Sequence, residues 1–259
     1  MSQPKVAVYK FSSCDGCQHS ILNLEDELLD LANAIDIAFF LEARSLVKPG
    51  PYDIALVEGS ITTPHEVERI QEIRRETGYL VALGICATAG GIQALRNFSH
   101  LDDLAWAVYD HPEYLNTLET STPLSQHVKV DLELWGCPVN KYQVVEVLSA
   151  YLQNRKPNLP THSVCLECKR NGTTCVVVAR GIPCLGPATR TGCGALCPAS
   201  GRGCYGCFGP APCAEMGAMV TNLKALERYP GEAFHLLRSF TGYAPEFRQA
   251  AEAIKSEAQ

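Results

Sequence analysis

No stretch of this chain approaches the ~20 consecutive apolar residues that a membrane-spanning helix requires, so no span is expected. The opening segment MSQPKVAVYK has neither an apolar signal region nor a twin-arginine pair, which predicts a cytoplasmic protein. A concentrated basic surface is also missing. With a net charge of −6 and a pI near 5.7, nucleic acid is not an expected partner, because phosphate binding needs clustered cations. No Walker loop occurs, and the one GxGxxG string, GRGCYG at 201–206, lies among cysteines with no strand pattern before it and no helical pattern after it, so nucleotide binding is expected on another chain.

What the chain does have is thirteen cysteines in 259 residues, with 46% hydrophobic and 19% charged residues, the balance of an ordered globular protein. In a reducing compartment thiols on this scale are not disulfides, which leaves metal or redox chemistry. They are unevenly spread: Cys14, Cys17 and Cys86 lie in the first hundred residues, Cys137 stands alone, and nine crowd between Cys165 and Cys213. The chain therefore divides into two functional halves.

In the first half, β-rich runs at 5–11, 35–41, 52–59, 79–85 and 128–136 alternate with helical patterns at 18–33, 64–77 and 141–154. Several runs are almost continuously apolar, as strands covered on both faces must be. The helix at 64–77 opens on a capping box, with Thr63 as N-cap, Pro64 at N1 and Glu66 at N3. The alternation predicts an α/β fold with a doubly wound, flavodoxin-like parallel sheet over residues 1–156. Cys14 and Cys17 then follow the first strand, Cys86 follows YLVALGI and Cys137 follows VDLELW, all at the carboxyl edge where such sheets bind ligands. Four thiols from three loops can converge there. Gly84, Gly90, Gly91 and Gly136 sit beside them, where a cluster would press against backbone and take amide hydrogen bonds on its sulfurs.

Residues 157–213 are dominated by Gly, Pro and Cys, and only CVVVA has the composition of a strand. A loop-rich segment of this kind cannot bury enough apolar surface to offset its ordering entropy, so metal–thiolate bonds are the available staple. The thiols fall into two blocks of four: Cys165, Cys168, Cys175 and Cys184, then Cys193, Cys197, Cys204 and Cys207. Two zinc ribbons would use the same Cys-x-x-Cys halves. Iron and sulfide are favoured by the ferredoxin-like CP after Cys193-x3-Cys197, by the glycine lining of PCLGP and CYGCFGP, and by sparse basic knuckle residues. The expected second domain, 157–259, is thus a loop-rich iron–sulfur domain ending in a helical segment, 213–259. Cys213 is left over and reads as a small apolar residue opening the helix CAEMGAMVTNLKALE.

Taken together, CDGC, VEGSI, GICATAGG, WGCP and the series CLEC, PCLGP, GCGALCP and CYGC resemble the small, electron-transferring subunit of nickel–iron hydrogenases over residues 5–213. The cytoplasmic multimeric class, sulfhydrogenase or pyridine-nucleotide-linked, is the most similar. The resemblance implies three 4Fe–4S clusters: a proximal one on Cys14, Cys17, Cys86 and Cys137, a medial one on Cys193, Cys197, Cys204 and Cys207, and a distal one on Cys165, Cys168, Cys175 and Cys184. Many relatives place a histidine at the first distal position. Here that position matches Cys165, with His162 three residues earlier, and both remain open.

The resemblance further implies a large subunit holding the nickel–iron site, a flavin/NAD(P)-binding partner, additional iron–sulfur subunits, and no catalytic residue on this chain. A deazaflavin- or ferredoxin-linked hydrogenase is the alternative, and a zinc-binding interaction protein is the remaining one. The related small subunit of respiratory complex I carries a single cluster, and the eight thiols from Cys165 to Cys207 count against it. Glu58, in VEGSI, shares the sheet edge with the first thiols and reads either as an interface residue or as a helix cap.

Overall fold

Five parallel strands pair in the order β2-β1-β3-β4-β5, with β1 at Lys5–Lys10, β2 at Asp36–Phe40, β3 at Tyr52–Glu58, β4 at Thr77–Leu83 and β5 at Leu132–Leu134. The computed structural model describes residues 3–257, in two units, Met1–Asn158 and Leu159–Gln259. β3 lies at the centre of the sheet, and its Ile54, Ala55, Leu56 and Val57 are all fully buried, which accounts for its unbroken apolar run. Helix α3 (Pro64–Glu76) carries the expected capping box. Its Ile70 and Ile73 pack with Ala7, Tyr9, Ala55, Val57, Leu80 and Ala82, alternate residues of β1, β3 and β4. Because β1 sits between β2 and β3, the connections after β1 and β3 diverge and leave a crevice at the carboxyl edge.

Three boundaries differ from the sequence pattern. The helix expected at 18–33 is two, α1 (Gly16–Leu22) and α2 (Asp26–Ala34), because Leu24 turns fully into the core and Glu25 takes φ 54°. The fourth strand ends at Leu83, and Gly84, at φ 82°, starts a short helix α4 (Gly84–Ala89), so Cys86 is helical and not in a loop. The fifth strand is shorter than 128–136. At its start the Asp131 amide donates to the Leu80 carbonyl at 2.9 Å, while its carboxylate accepts the Leu80 amide at 2.8 Å and Arg74 at 2.5 Å. A side chain there replaces a ladder carbonyl. Helix α5 (Leu101–Val108) and α6 (Lys141–Leu152) complete the unit.

The second unit has little apolar material around its thiols. Val164, Val176, Ala195, Cys184 and Cys204 form a small cluster, whereas the main core lies among α10 (Met216–Ala225), α11 (Glu232–Leu237) and α12 (Pro245–Glu257). Leu185 and Ala188 tie the thiol-bearing loops to that helical layer. Three short helices, α7 (Val164–Arg170), α8 (Val176–Arg180) and α9 (Leu196–Ala199), hold the loops themselves. CVVVA is therefore not a strand: among the described residues no named strand lies beside it, and Gly181 closes it as a left-handed helix cap. Cys213 precedes α10 and is exposed, so it does not open that helix.

Candidate metal centres

The first four thiols come from three places on the crevice. Cys14 precedes α1 and is exposed, Cys17 lies buried in its first turn, Cys86 is half-buried on α4, and Cys137 is half-buried after β5. Three of them are close enough to neighbouring thiols to be affected: Cys17 by Cys86, Cys86 by Cys137 and Cys14, and Cys137 by Cys14. Burial, then the Glu58 carboxylate, and then Cys86 push the Cys17 thiol far above its ordinary range. Burial, with Cys137, Glu58 and Cys14 behind it, pushes Cys86 up to about 12, although Gln93 opposes the shift. Cys137 is raised by burial and then by Cys14 and Glu58. Four thiols held this close resist ionising together, and a positively charged metal group is what would draw their protons off.

Close backbone approach adds to the fit. A β-carbon on Gly84 would collide with the Cys17 sulfur, and one on Gly91, at φ 69°, would stand 2.6 Å from the Cys86 sulfur. The Val139 amide points at the Cys17 sulfur. Donor set and cradle therefore suit a thiolate-bound cluster.

Glu58 caps a helix from a distant strand. Its carboxylate, 1% exposed, accepts the Cys17 amide at 3.1 Å and the Gln18 amide at 3.2 Å, the first-turn donors of α1 that lack intrahelical partners. Sequence reasoning left that role open and missed Gln93 altogether. The Gln93 side chain donates to Ser12 O at 2.5 Å and Ser60 Oγ at 3.1 Å while its oxygen lies 3.8 Å from the Cys86 sulfur. Its position two residues after Gly91 was the available signal.

In the second unit, Cys165 and Cys168 lie on α7, Cys175 is the exposed cap residue of α8, and Cys184 is buried. Burial, then Cys184, Cys168 and Cys175, raise Cys165 to about 11, so this block is gathered. Cys184 accepts amides from Cys204 at 3.1 Å and Gly186 at 3.4 Å. The other block resolves into neighbouring pairs: Cys197, raised by burial, also feels Cys193, and buried Cys204 feels Cys207. Cys184 influences both Cys197 and Cys204, so the two blocks abut. His162 is engaged elsewhere, with Nε2 2.8 Å from Glu167 Oε1. Among the described residues, no three His, Cys, Asp or Glu side chains stand close enough to hold a single metal ion.

The chain is similar to known proteins. Residues 14–151 match the family described as the 20 kDa subunit of NADH ubiquinone oxidoreductase. Sulfhydrogenase 2 subunit delta of Pyrococcus furiosus is 37% identical over 86% of this chain and 93% of its own length. A subunit of the F420-non-reducing vhu hydrogenase of Methanocaldococcus jannaschii is 32% identical over 85% of this chain and 87% of its own. Among solved structures, a chain of an NAD+-reducing [NiFe]-hydrogenase in the H2-reduced state superposes with a TM-score of 0.56 and 28% identity, covering 61% of this chain and 96% of that one.

Proposed function

Because this chain belongs to the NADH ubiquinone oxidoreductase 20 kDa subunit family, and within it to the small subunits of nickel–iron hydrogenases, we propose that it relays electrons between a partner's nickel–iron site and a flavin/NAD(P) module. The carrying observation is the gathering of Cys14, Cys17, Cys86 and Cys137 at one sheet edge. These would hold the proximal cluster, in a first domain ending near residue 156. The second domain would hold the distal cluster on Cys165, Cys168, Cys175 and Cys184, and the medial one on Cys193, Cys197, Cys204 and Cys207. When bound, three 4Fe–4S clusters supply one-electron storage along a path too long for a single tunnelling step.

The chain's own residues prepare that path. Glu58 fixes the turn that carries Cys17, Gly84 and Gly91 leave room for sulfur, and amides aimed at Cys17 and Cys184 stabilise thiolate charge. The ferredoxin-like Cys193-x3-Cys197-Pro run and the glycine lining of PCLGP and CYGCFGP support iron over zinc. His162, engaged by Glu167, leaves the first distal position to Cys165. The flavin/NAD(P) partner is supported by the NAD+-reducing activity named for the similar solved enzyme and by the lack of a Walker loop here. No helix among the described residues is long and apolar enough to cross a membrane, and a cytoplasmic location is part of the proposal.

The chain alone is expected to be inert. Dihydrogen-dependent dye reduction should appear only when it is assembled with the large subunit, and turnover by the isolated chain would contradict the division of labour. Gly84→Ala gives a second outcome. The added methyl meets the Cys17 sulfur at a backbone φ of 82°, so the assembled protein should fold but lose about a third of its iron, counted by metal analysis. Undiminished iron would mean Cys17 holds none of it.

A further inference from the structure

One helix of the first unit has little beneath it. None of the residues of α5 (Leu101–Val108) is buried, although all but its two aspartates are apolar. A helix of about two turns is marginal in water by itself, so its order depends on apolar cover. Its chief neighbours are the short turns at Ile92–Phe98 and Pro112–Tyr114, which expose apolar surface of their own. Trp106 is 70% exposed, Val108 71% and Tyr114 80%, and Ile92, Leu95 and Tyr109 are half-exposed. Single apolar side chains at a surface are ordinary, but so many in one segment mark a contact surface.

The charge of this segment has one sign. Between Arg96 and Lys129 no lysine or arginine occurs, while Asp102, Asp103, Asp110, Glu113 and Glu119 are all exposed. Apolar and aromatic side chains are thus interleaved with acids, the composition of an interface whose charges select the partner. Two copies of this surface would set acids against acids, and anionic lipid or nucleic acid would do the same, so each is disfavoured.

We propose that α5 and its flanking turns dock a basic amphipathic helix of a protein other than the large subunit. Such a helix lays its apolar face on Leu104, Trp106, Val108 and Tyr114, with the two aromatic rings as anchors, and its lysines and arginines meet the acids. It supplies the cover that α5 lacks within its own chain. No thiol takes part.

The probe is a synthetic amphipathic peptide with leucines on one face and lysines on the other, and its control carries glutamates in place of the lysines. Binding to the assembled hydrogenase is measured by interferometry across a salt series, and tryptophan emission is followed in the full chain alone. Of the two tryptophans Trp135 is only 9% exposed, so Trp106 is the one whose emission can move on docking. The lysine peptide should bind both forms, more weakly as salt rises, and should shift the emission to shorter wavelength. Asp110→Lys with Glu113→Lys, which leaves the first-turn acids of α5 in place, should weaken binding about tenfold. Asp110→Asn with Glu113→Gln, which removes the charges without reversing them, should give a smaller loss in the same direction and serves if the reversal impairs folding. Glu27→Lys with Glu68→Lys, an equal change of charge at exposed positions of α2 and α3, should leave binding intact. An equal loss in that control, salt-independent binding, or binding of the glutamate peptide as tight as that of the lysine peptide would overturn the proposal. So would a concentration-dependent shift of Trp106 emission with no peptide present, which would make the occupant a second copy. Loss of peptide binding on assembly would overturn it too, since the large subunit would then be what covers α5.

Discussion

In an assembled hydrogenase, serine at Cys17 or Cys137 is expected to bring dihydrogen-dependent dye reduction to background while hydrogen–deuterium exchange falls by much less. Exchange needs only the large subunit's metal site, whereas dye reduction needs electrons to leave it. If the proximal cluster is their obligatory exit, the two activities separate. Cys17 is the more informative position, because it is the most buried of the four, and its amide is pinned by Glu58. Serine there alters the sulfur without releasing the turn. Glu58→Gln keeps a carbonyl oxygen but weakens that anchor, and should lower dye reduction only in part. Equal loss of exchange and dye reduction in an assembled complex would mean that the cluster serves the nickel–iron site in some other way.

The second large effect is expected at Cys197. With proline there, the medial site is left with three thiolates, and the fourth iron of a cubane loses its ligand. The variant should carry a 3Fe–4S cluster in place of the 4Fe–4S one, seen as a new paramagnetic signal in the oxidised protein. Cluster type and net charge help set the reduction potential, so the potential of that site should rise. Proton reduction, which needs low-potential electrons, should slow more than dihydrogen oxidation. The substitution is locally tolerable, since residue 197 lies in the first turn of α9, where a missing amide breaks no helical bond. Cys197→Ala repeats the test without proline. An oxidised variant with no new signal and an unchanged iron content would show that Cys197 is not a ligand.

The neighbourhood of Cys14, Cys17, Cys86 and Cys137 was legible because strand–helix alternation fixes which loops share a sheet edge. The pattern of alternate burial in β1, β3 and β4 follows from the same period. Glu58 could not be read in the same way. It caps a helix some forty residues earlier in the chain, and nothing in local spacing marks a contact between β3 and the first turn of α1. CVVVA misled for a related reason: three valines favour a strand only where a neighbouring strand exists, and between Cys175 and Gly181 the chain coils into a single turn.

The central claim is that this chain holds three iron–sulfur clusters, and its most direct test is metal and acid-labile sulfide analysis of the anaerobically purified protein. The account predicts a brown protein with about twelve irons and about twelve sulfides per chain and no stoichiometric zinc, as three cubanes require. A colourless protein carrying zinc on the same thiols, with neither iron nor sulfide, would contradict it.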